Sequence, residues 1–490
     1  MVTEVNASVT CDELPKKDMK LKGYKEINFY ADNADNRVIY AEYVIPSPNS
    51  KISNREKLVR IDSEDFESYI RMIVHPKTNG NNSVGKMIQE IKDYFINYGC
   101  PDVISTRVRT AGKLKEGLIE YDLCNHEQQY VVITPGQWDI TTNHTHKFLK
   151  RQINSSQVLP RKTNKTLIKL LQPFVNATKQ ELILLVVWLV QAFCQGSHSI
   201  LMIMAGRGSG KSVLTKMLRR IIDPSKVGAG VLPLNEDHLL TTLTNSYVVA
   251  FDNTDELRKE QSDILCLAVT GATYTKRASY STNNMAAFDL HNTLIINGID
   301  ILPSESDLAE RCLLLNLIPI TTSRKTESEI DAELNEVLPE IMGAIFDTLS
   351  KAMEIIGSLT PQRLPRMAES YVEMLSIAMA LGLPESKFEK IYFDNLHKID
   401  KARSEIAIVQ AVKEYMTNEV LKDRKLSGTI TEVYNKIKAN YSGDKKDLPN
   451  SPSRFSRKLS SEHAALFAAG YIVNIDPTKH DHTYIDIIKK

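Results

Sequence analysis

The pattern of apolar and polar positions predicts mixed α and β structure, with the clearest elements near the centre of the chain. The apolar run Ile200–Met204 has the length of a buried strand, and the glycine-rich residues 205–210 follow it directly. A helical pattern then begins, with Leu214, Met217 and Leu218 on one side. The centre of the sequence therefore predicts a strand, a loop and a helix in that order.

Residues 1–163 predict an α+β N-terminal domain, because short strand-like runs and turn signals accompany an amphipathic helix. The strand-like runs lie at 38–45, 117–123 and 130–133, and the helix lies at 84–98. Residues 164–385 alternate strands with helices, which is typical of a parallel sheet between helical layers. Polar residues and Pro160 predict a linker at the boundary between the two domains.

A helical linker at 386–425 is predicted to lead into a small C-terminal domain at 426–490. The order helix, turn, helix and two strands is typical of a winged helix that binds DNA. Arg454, Arg457 and Lys458 share a face at the start of the second helix and predict contact with DNA, such as an origin duplex. Winged helices also bind proteins, so a protein-binding role is the alternative.

The loop A-G-R-G-S-G-K-S at 205–212 matches a phosphate-binding loop, with Ala205 where the pattern has its first glycine. Gly206, Gly208 and Gly210 are expected to take unusual dihedrals, so that backbone N–H groups converge on phosphate at a helix N-terminus. Lys211 would reach the β and γ phosphates, and Ser212 would bind Mg²⁺. The predicted cofactors are therefore ATP and Mg²⁺. The predicted ATP-binding residues are Ala205, Gly206, Arg207, Gly208, Ser209, Gly210, Lys211, Ser212 and Val213.

A second apolar run, at 247–251, ends at an acidic residue. Asp252 would lie at the carboxyl end of a parallel strand, where a carboxylate can hold Mg²⁺ through water. Asn253 follows where many ATPases have a glutamate that activates water, and asparagine cannot accept a proton. The catalytic base stays open between Asn253, Asp255, Glu256 and another residue, because the two acids also suit a helix N-terminus.

Asn297 and Arg311 complete the candidate catalytic set with Lys211 and Asp252. Asn297 ends a third apolar run, where an amide suits a sensor of the γ-phosphate, although an ordinary turn with Gly298 is the alternative. Arg311 precedes a fourth apolar run and suits an arginine that reaches the nucleotide of a neighbouring subunit. A surface ion pair is the alternative for Arg311.

The segment T-G-A-T-Y-T-K-R-A-S-Y-S-T at 270–282 lies between the second and third apolar runs and predicts contact with DNA. Lys276 and Arg277 can follow phosphates, and the ring of Tyr280 can stack on a base without sequence preference. Solvated surface charges are the alternative for the two cations.

Taken together, residues 165–385 resemble the AAA+ helicase core of the superfamily III and MCM-like type. The motifs that carry the resemblance are the loop at 205, Y-V-V-A-F-D-N at 247, the segment at 270, L-I-I-N-G at 294 and D-L-A-E-R at 307. The likeness extends to the Rep initiator helicases of staphylococcal pathogenicity islands. It implies a three-layer P-loop core with a helical lid, a homohexameric ring that moves single-stranded DNA through its pore, and Arg311 acting on the next subunit. L-P-R-M-A-E-S-Y at 364 also resembles the family, and Arg366 would be a sensor borne by the lid.

Composition narrows the possible partners and compartment. The net charge of +1 over 490 residues excludes a chain that binds nucleic acid by bulk charge, so any DNA site must be local. Six cysteines without a C-x-x-C pair predict reduced thiols in the cytoplasm and no zinc site. The apolar run at 182–190 is too short to span a bilayer, so no membrane contact is expected. Basic clusters around Arg109 and Lys150 predict a solvated face, with a DNA-facing collar as the alternative.

The sequence therefore predicts an ATP-dependent hexameric DNA helicase that initiates replication of a mobile genetic element, with host replication proteins as possible partners. The alternative is an AAA+ helicase loader or protein remodeller that does not itself unwind DNA. A fusion of primase and helicase is disfavoured, because the N-terminal domain has neither paired carboxylates nor a zinc pattern.

Overall fold

A computed structural model describes the chain from residue 27 to its last residue, with gaps. The described residues are 27–33, 37–45, 55–73, 82–98, 102–104, 106–206, 208–254, 257–277, 285–299, 303, 306–320, 324–404, 407–417, 425–442, 445, 448–476 and 483–490. Several of the predicted functional residues fall in the gaps: Arg207, Asp255, Glu256 and Tyr280 lie outside the described residues.

The first part of the chain forms a mixed sheet that packs against two helices among the described residues. Its elements are β1 (Asn28–Asp32), β2 (Ile39–Ile45), β3 (Arg55–Arg60), α1 (Glu64–Ile73), α2 (Asn82–Tyr98) and β4 (Asp102–Ile104). The strand order is β3-β2-β1-β4, and β1 pairs with β4 in parallel. α2 matches the predicted helix, whereas α1 was not predicted. Phe66, Tyr69 and Ile70 of α1 have helical spacing, and they pack with Phe29 and Phe95 in a core of their own.

A second sheet belongs to the same predicted domain but packs against the central region of the chain. Its region contains β5 (Thr106–Arg107), β6 (Thr110–Ala111), β7 (Ile119–Asp122), β8 (Tyr130–Thr134), β9 (Gln137–Thr141) and β10 (Lys147–Phe148). Strands β6 to β9 form an antiparallel sheet. Tyr121 and Trp138 from this sheet contact Phe346, and Tyr121 also contacts Phe193. The hydrophobic core is therefore continuous across residue 163, where the sequence predicts a domain boundary.

Arg109 fixes this sheet to the central region. Its side chain is fully buried, and it donates to Asp223 Oδ1 at 2.8 Å and to the carbonyl oxygens of Asp122, Ser155 and Pro224. A guanidinium whose donors are used in this way stabilises the junction because its charge and hydrogen bonds are satisfied together. Both interpretations of the basic cluster, a solvated face and a DNA-facing collar, are therefore wrong for Arg109.

The central region contains a parallel sheet in the order β12-β15-β11-β16. Its elements are α3 (Leu167–Leu171), α4 (Lys179–Gln191), β11 (Ile200–Met204), α5 (Lys211–Ile222), α6 (Glu236–Thr244), β12 (Val248–Phe251), α7 (Lys259–Thr270), β13 (Thr273–Arg277), β14 (Met285–Asp289), β15 (Thr293–Gly298), α8 (Ser306–Ala309), β16 (Cys312–Asn316), α9 (Glu327–Ile356) and α10 (Ala368–Ala380). The predicted strand, loop and helix at the centre of the chain are thus present. Strands β13 and β14 form an antiparallel hairpin between α7 and β15.

Helices cover both faces of the parallel sheet. Leu201 and Ile203 of β11 join a core with α4, α5, α9 and α10, whereas Ile200 and Met202 join a second core with α6 and α7. Successive side chains of a strand point to opposite faces, so a strand buried on both faces must be apolar throughout. This explains the unbroken apolar run of β11.

The C-terminal region forms a small unit with its own core. Its elements are α12 (Ala407–Thr417), β17 (Lys425–Thr429), α13 (Ile430–Asn440), α14 (Pro452–Ser461), α15 (His463–Ala468), β18 (Tyr471–Asp476) and β19 (Tyr484–Lys489). The preceding helix, α11 (Glu385–Ser404), packs instead in the cores of the central region. Strands pair in the antiparallel order β17-β19-β18. Ile408, Val409 and Val412 of α12 pack in the same core as Phe455 and Leu459. α12 therefore packs with this unit, although the sequence assigns it to the linker.

Across the described ranges, no single helix is long and apolar enough to cross a membrane. Leu167–Phe174 and α4 pass that test only as a pair bent by 114°, and α4 lies in the core. Among the described cysteines, Cys194, Cys266 and Cys312 are buried and Cys124 is half-buried, and none of the four forms a disulfide.

The buried carboxyl group of Glu373 predicts a pH-dependent stability. Glu373 of α10 accepts a hydrogen bond from Gln191 Nε2 at 2.9 Å, and burial raises its pKa from 4.5 to about 7. The buried carboxyl is stable in its protonated form, so its contribution to the free energy of unfolding is fully present below about pH 4.5 and is lost as pH rises through about 7. Glu373→Gln cannot ionise, so we expect its melting temperature to exceed that of the wild type at about pH 8.5 and the gap to close near pH 5.

Glu336→Gln is the matched control, because Glu336 is exposed on α9. Its melting temperature relative to wild type should not change with pH in this range. A gap between Glu373→Gln and wild type that is the same at both pH values would contradict the prediction.

Candidate nucleotide site and DNA-facing elements

The loop between β11 and α5 has the backbone of an anion-binding turn. Gly208 and Gly210 have φ values of +73° and +82°, a left-handed conformation that strains other residues. Gly210 is the N-cap residue of α5, so the loop ends at the positive end of a helix dipole. The expectation for Gly206 is wrong, because its φ lies outside the left-handed region.

Lys211 lies inside this loop. Its side chain is buried, and Nζ donates to the carbonyl oxygens of Ala205 at 2.7 Å and Gly206 at 3.0 Å. Ser209 Oγ also donates to the Gly206 carbonyl at 2.9 Å. These bonds hold the loop around the ammonium group, which is where a lysine must lie to meet phosphate oxygens in a loop of this kind.

Ser212 and Asp252 meet at the carboxyl edge of the sheet. Ser212 Oγ donates to Asp252 Oδ1 at 3.0 Å, although the two residues follow different strands. Hydroxyl and carboxylate oxygens are both ligand types that Mg²⁺ accepts. The donor set, one hydroxyl and one carboxylate, therefore fits the predicted Mg²⁺.

Asn297 connects the loop helix to the end of β12. Its Nδ2 donates to Thr215 Oγ1 of α5 at 2.8 Å, and its Oδ1 accepts from the backbone N–H of Asn253 at 3.1 Å. Its own carbonyl oxygen accepts from Thr254 N at 2.9 Å. Asn253 has a φ of +52°, so these bonds hold a turn directly after Asp252. Asn297 is fully buried and its amide positions the site, while its role as a sensor stays a prediction.

Arg311 lies at the opposite edge of the sheet from the loop. Its carbonyl oxygen accepts from Ile200 N at the start of β11, whereas the loop follows the end of that strand. Its guanidinium contacts Asp307 at 2.8 Å, and Arg366 pairs with Asp307 and Glu310 beside it. Arg366 therefore belongs to the Arg311 edge, and the structure does not bring it to the loop of its own chain.

A cavity of about 540 Å³ adjoins the loop. Apolar side chains of α5 and of the segments before α4 and after β16 form most of its wall, and the loop glycines form one side. The lining includes Phe174, Val213, Met217, Pro319, Ile320, Ile330, Gly208 and Gly210. An apolar cavity next to a phosphate-binding loop suits a nucleobase, because a planar ring gains by leaving water. Of the lining residues, sequence analysis assigned Gly208, Ser209, Gly210 and Val213 to nucleotide binding. It did not identify the residues on the segments before α4 and after β16, because these lie far away in the chain.

The hairpin of β13 and β14 carries the predicted pore-facing cations. Lys276 forms an ion pair with Asp237 of α6, and the hydroxyl of Tyr274 donates to Glu236 at 3.0 Å. Nothing is described for the side chain of Arg277. The ion pair places Lys276 next to α6, at a position opposite Ala286 and close to the turn end of the hairpin.

The predicted DNA-binding face of α14 is partly free. Arg454 and Arg457 are exposed, while Phe455 on the other side of the helix is buried in the core. Lys458 differs from them, because its Nζ lies 3.2 Å from the buried carboxylate of Glu462. Two of the three predicted cations therefore remain available on this face.

Similarity to known proteins lies mainly in the central region. Residues 166–394 match a protein-family model described as actinomycete integrative conjugative element replication protein. No curated protein matches the chain. The central part of this chain is thus similar to a replication protein of a mobile element, which agrees with the predicted role in replication. The finer assignment to the MCM-like AAA+ type stays a prediction.

Two solved structures of the NrS-1 C-terminal region are similar to the chain at low identity. The A-form apo structure has 12% identity and a TM-score of 0.39, covering 95% of this chain and 97% of that chain. Another apo structure of the region has 12% identity and a TM-score of 0.30, covering 78% of this chain and 96% of that chain.

The bond between Asn297 and Thr215 predicts a selective loss of activity. Thr215→Val removes the hydroxyl acceptor and leaves the buried amide of Asn297 unpaired, which costs about 1–3 kcal/mol. We expect a lower free energy of unfolding and a lower ATPase rate. Thr215→Ser keeps the hydroxyl and should keep most of both. Equal ATPase rates for the valine and serine variants would contradict the role given to this bond.

Proposed function

We propose that the protein is an ATP-dependent hexameric DNA helicase that initiates replication of a mobile genetic element. The main support is the convergence of Lys211, Ser212 and Asp252 at one sheet edge, in a region that matches a replication-protein family. A hairpin that carries cations lies in the same region and would supply a contact for DNA.

ATP would lie with its phosphates on the loop and its base in the adjoining cavity. Lys211 would bind phosphate oxygens, and Ser212 and Asp252 would hold Mg²⁺. The bound cation would neutralise charge that develops on the transferred phosphoryl group. The catalytic base stays unassigned among Asn253, Asp255, Glu256 and other residues. Of these, Asp255 and Glu256 lie outside the described residues.

A ring would explain why Arg311 lies so far from the loop of its own chain. β11 spans Ile200–Met204, so its two ends are separated by roughly 13 Å at about 3.3 Å per residue. In a ring, the Arg311 edge of one subunit faces the loop edge of the next. Arg311 would then stabilise the neighbour's γ-phosphate, and Arg366 beside it could contact the same nucleotide.

DNA would be contacted at two places. Lys276, Arg277 and Tyr280 of the hairpin would track one strand in the pore by phosphate contacts and stacking. Arg454 and Arg457 would bind origin duplex at the C-terminal unit, with Lys458 contributing if it leaves Glu462. Host replication proteins would be further partners.

The first test removes the loop lysine. Lys211→Ala should abolish ATP hydrolysis and the unwinding of a forked duplex together, because phosphate binding and strand separation depend on one ammonium group. Lys216→Ala is the matched control, since Lys216 lies on the same helix but is exposed and pairs with Glu327. Unwinding that persists in the Lys211→Ala variant would overturn the motor assignment.

The same assay separates a helicase from a loader or remodeller. Wild-type protein alone should unwind a duplex with a single 3′ or 5′ tail, and electron microscopy should show particles with six subunits. ATP hydrolysis without strand separation on either tail would favour the loader.

The second test concerns the hairpin. Lys276→Ala combined with Arg277→Ala should keep most ATPase activity and lose unwinding, because the nucleotide site is intact while phosphate contacts are lost. Asp237→Asn removes the ion-pair partner of Lys276 but keeps the cation, so it should still unwind. Undiminished strand separation by the double variant would contradict the pore-facing role.

A further inference from the structure

Arg324 places a guanidinium group directly on the phosphate-binding loop. A Cβ atom built on Gly208 would lie 2.9 Å from Nη2, 3.3 Å from Nη1 and 3.4 Å from Cζ of Arg324. The three distances are similar, so the guanidinium lies broadside against the Gly208 backbone. Glycine suits this position because of its positive φ, and a side chain there would also displace the Arg324 guanidinium.

The charge of Arg324 has no counterion in the described part of the chain. The neighbouring Lys325, in contrast, contacts both carboxylate oxygens of Glu333 at 2.6 Å. No carboxylate among the described residues lies within ion-pair distance of the Arg324 guanidinium. Lys325 is therefore neutralised by Glu333, whereas Arg324 lies against the loop without a carboxylate partner among the described residues.

The surroundings of Arg324 are already positive. The loop holds the ammonium of Lys211 and ends at the N-terminus of α5, which carries a partial positive charge. A guanidinium beside these groups is repelled by them unless a polyanion binds between them. The arrangement is therefore complementary to a phosphate group rather than to another part of the protein.

Arg324 also lies where the phosphates and the base would meet. It lines the cavity together with the loop glycines, Val213 and Ile320, and it comes two residues before Thr326, the N-cap of α9. A nucleotide with its phosphates on the loop and its base in the cavity would pass this guanidinium. Arginine suits such a contact because its planar donors bind two phosphate oxygens at once.

We propose that Arg324 binds a phosphate of the nucleotide held by its own subunit. This inference rests on the proposed ATP-dependent function and adds a residue to its site. Arg324 and Arg311 then have separate roles, since Arg324 lies at the loop of its own chain and Arg311 lies at the opposite sheet edge. Phosphate binding by Arg324 would also draw the start of α9 towards the loop.

The test compares neighbouring charge substitutions in the full chain. Binding of MgATP and MgADP is measured with fluorescent analogues, alongside ATPase rates. Arg324→Gln should weaken nucleotide binding by about tenfold or more, because a hydrogen bond to a charged group is lost. Lys325→Gln removes the same charge one residue away and should change binding by less than about twofold, since that charge is already paired with Glu333. Arg324→Lys keeps the charge without the planar donors and should be intermediate.

The possible results separate the role of Arg324 from the proposed function. Nucleotide binding and hydrolysis by Arg324→Gln at wild-type levels would overturn the role of Arg324 and leave the proposed ATPase intact. Equal weakening in Arg324→Gln and Lys325→Gln would show a general charge effect and would also overturn it. A wild-type protein that binds no nucleotide would overturn the proposed function itself. Arg324 is exposed, has no carboxylate partner among the described residues and lies beside other positive charges, so the melting temperature of Arg324→Gln without nucleotide should be no lower than that of wild type. Arg324→Lys provides the comparison if it is lower.

Discussion

The parallel pairing of β11 with β15 and β16 determines which residues can share a site. Every strand of this sheet runs the same way, so the residues after β11, β12 and β15 meet at one edge. Lys211, Ser212, Asp252 and Asn297 lie at that edge. Arg311 precedes β16 and must lie at the other edge, whatever its side chain does. Arg311 can therefore share the proposed nucleotide site only with the loop of a second copy of the chain, as the proposed ring requires.

The polar interior of the site is held by a few buried bonds. Asn297 joins α5 to the turn after Asp252, and a broken bond at this position would leave a buried amide without a partner. Lys211 is held by carbonyl oxygens of its own loop, so the loop keeps its curvature without a ligand. Arg324, which precedes α9, lies against the same loop at Gly208. Positive charge therefore surrounds the place proposed for phosphate, which favours binding of a polyanion.

Buried hydrogen bonds hold the C-terminal end of α5 as well as its N-terminal end. Asp223, the C-cap residue of α5, accepts from the buried guanidinium of Arg109, and Tyr121 donates to the Ile222 carbonyl at 2.8 Å. The second sheet thus packs on the central region as part of one core, although it precedes the predicted boundary. The helix that carries Lys211 is consequently braced at both ends, by Asn297 at one and by Arg109 at the other.

Sequence alone was sufficient for features that depend on local pattern. The apolar run of β11, the glycines at 208 and 210 and the acid after β12 could be recognised because strand burial, left-handed turns and metal binding each require particular residue types. Helix α1 has a local signal too, in the helical spacing of Phe66, Tyr69 and Ile70.

Tertiary structure decided the features that depend on distant segments. The sequence pattern suggests that Arg109 lies at the surface, whereas the fold buries it in an ion pair. The pairing could not be recognised locally, because its partner Asp223 lies 114 residues away. Arg324 and Lys325 are equivalent by charge, and only packing shows that Glu333 neutralises one while the other meets the loop. Charge and hydrophobicity are properties of a residue, whereas burial and pairing are properties of the segments that surround it.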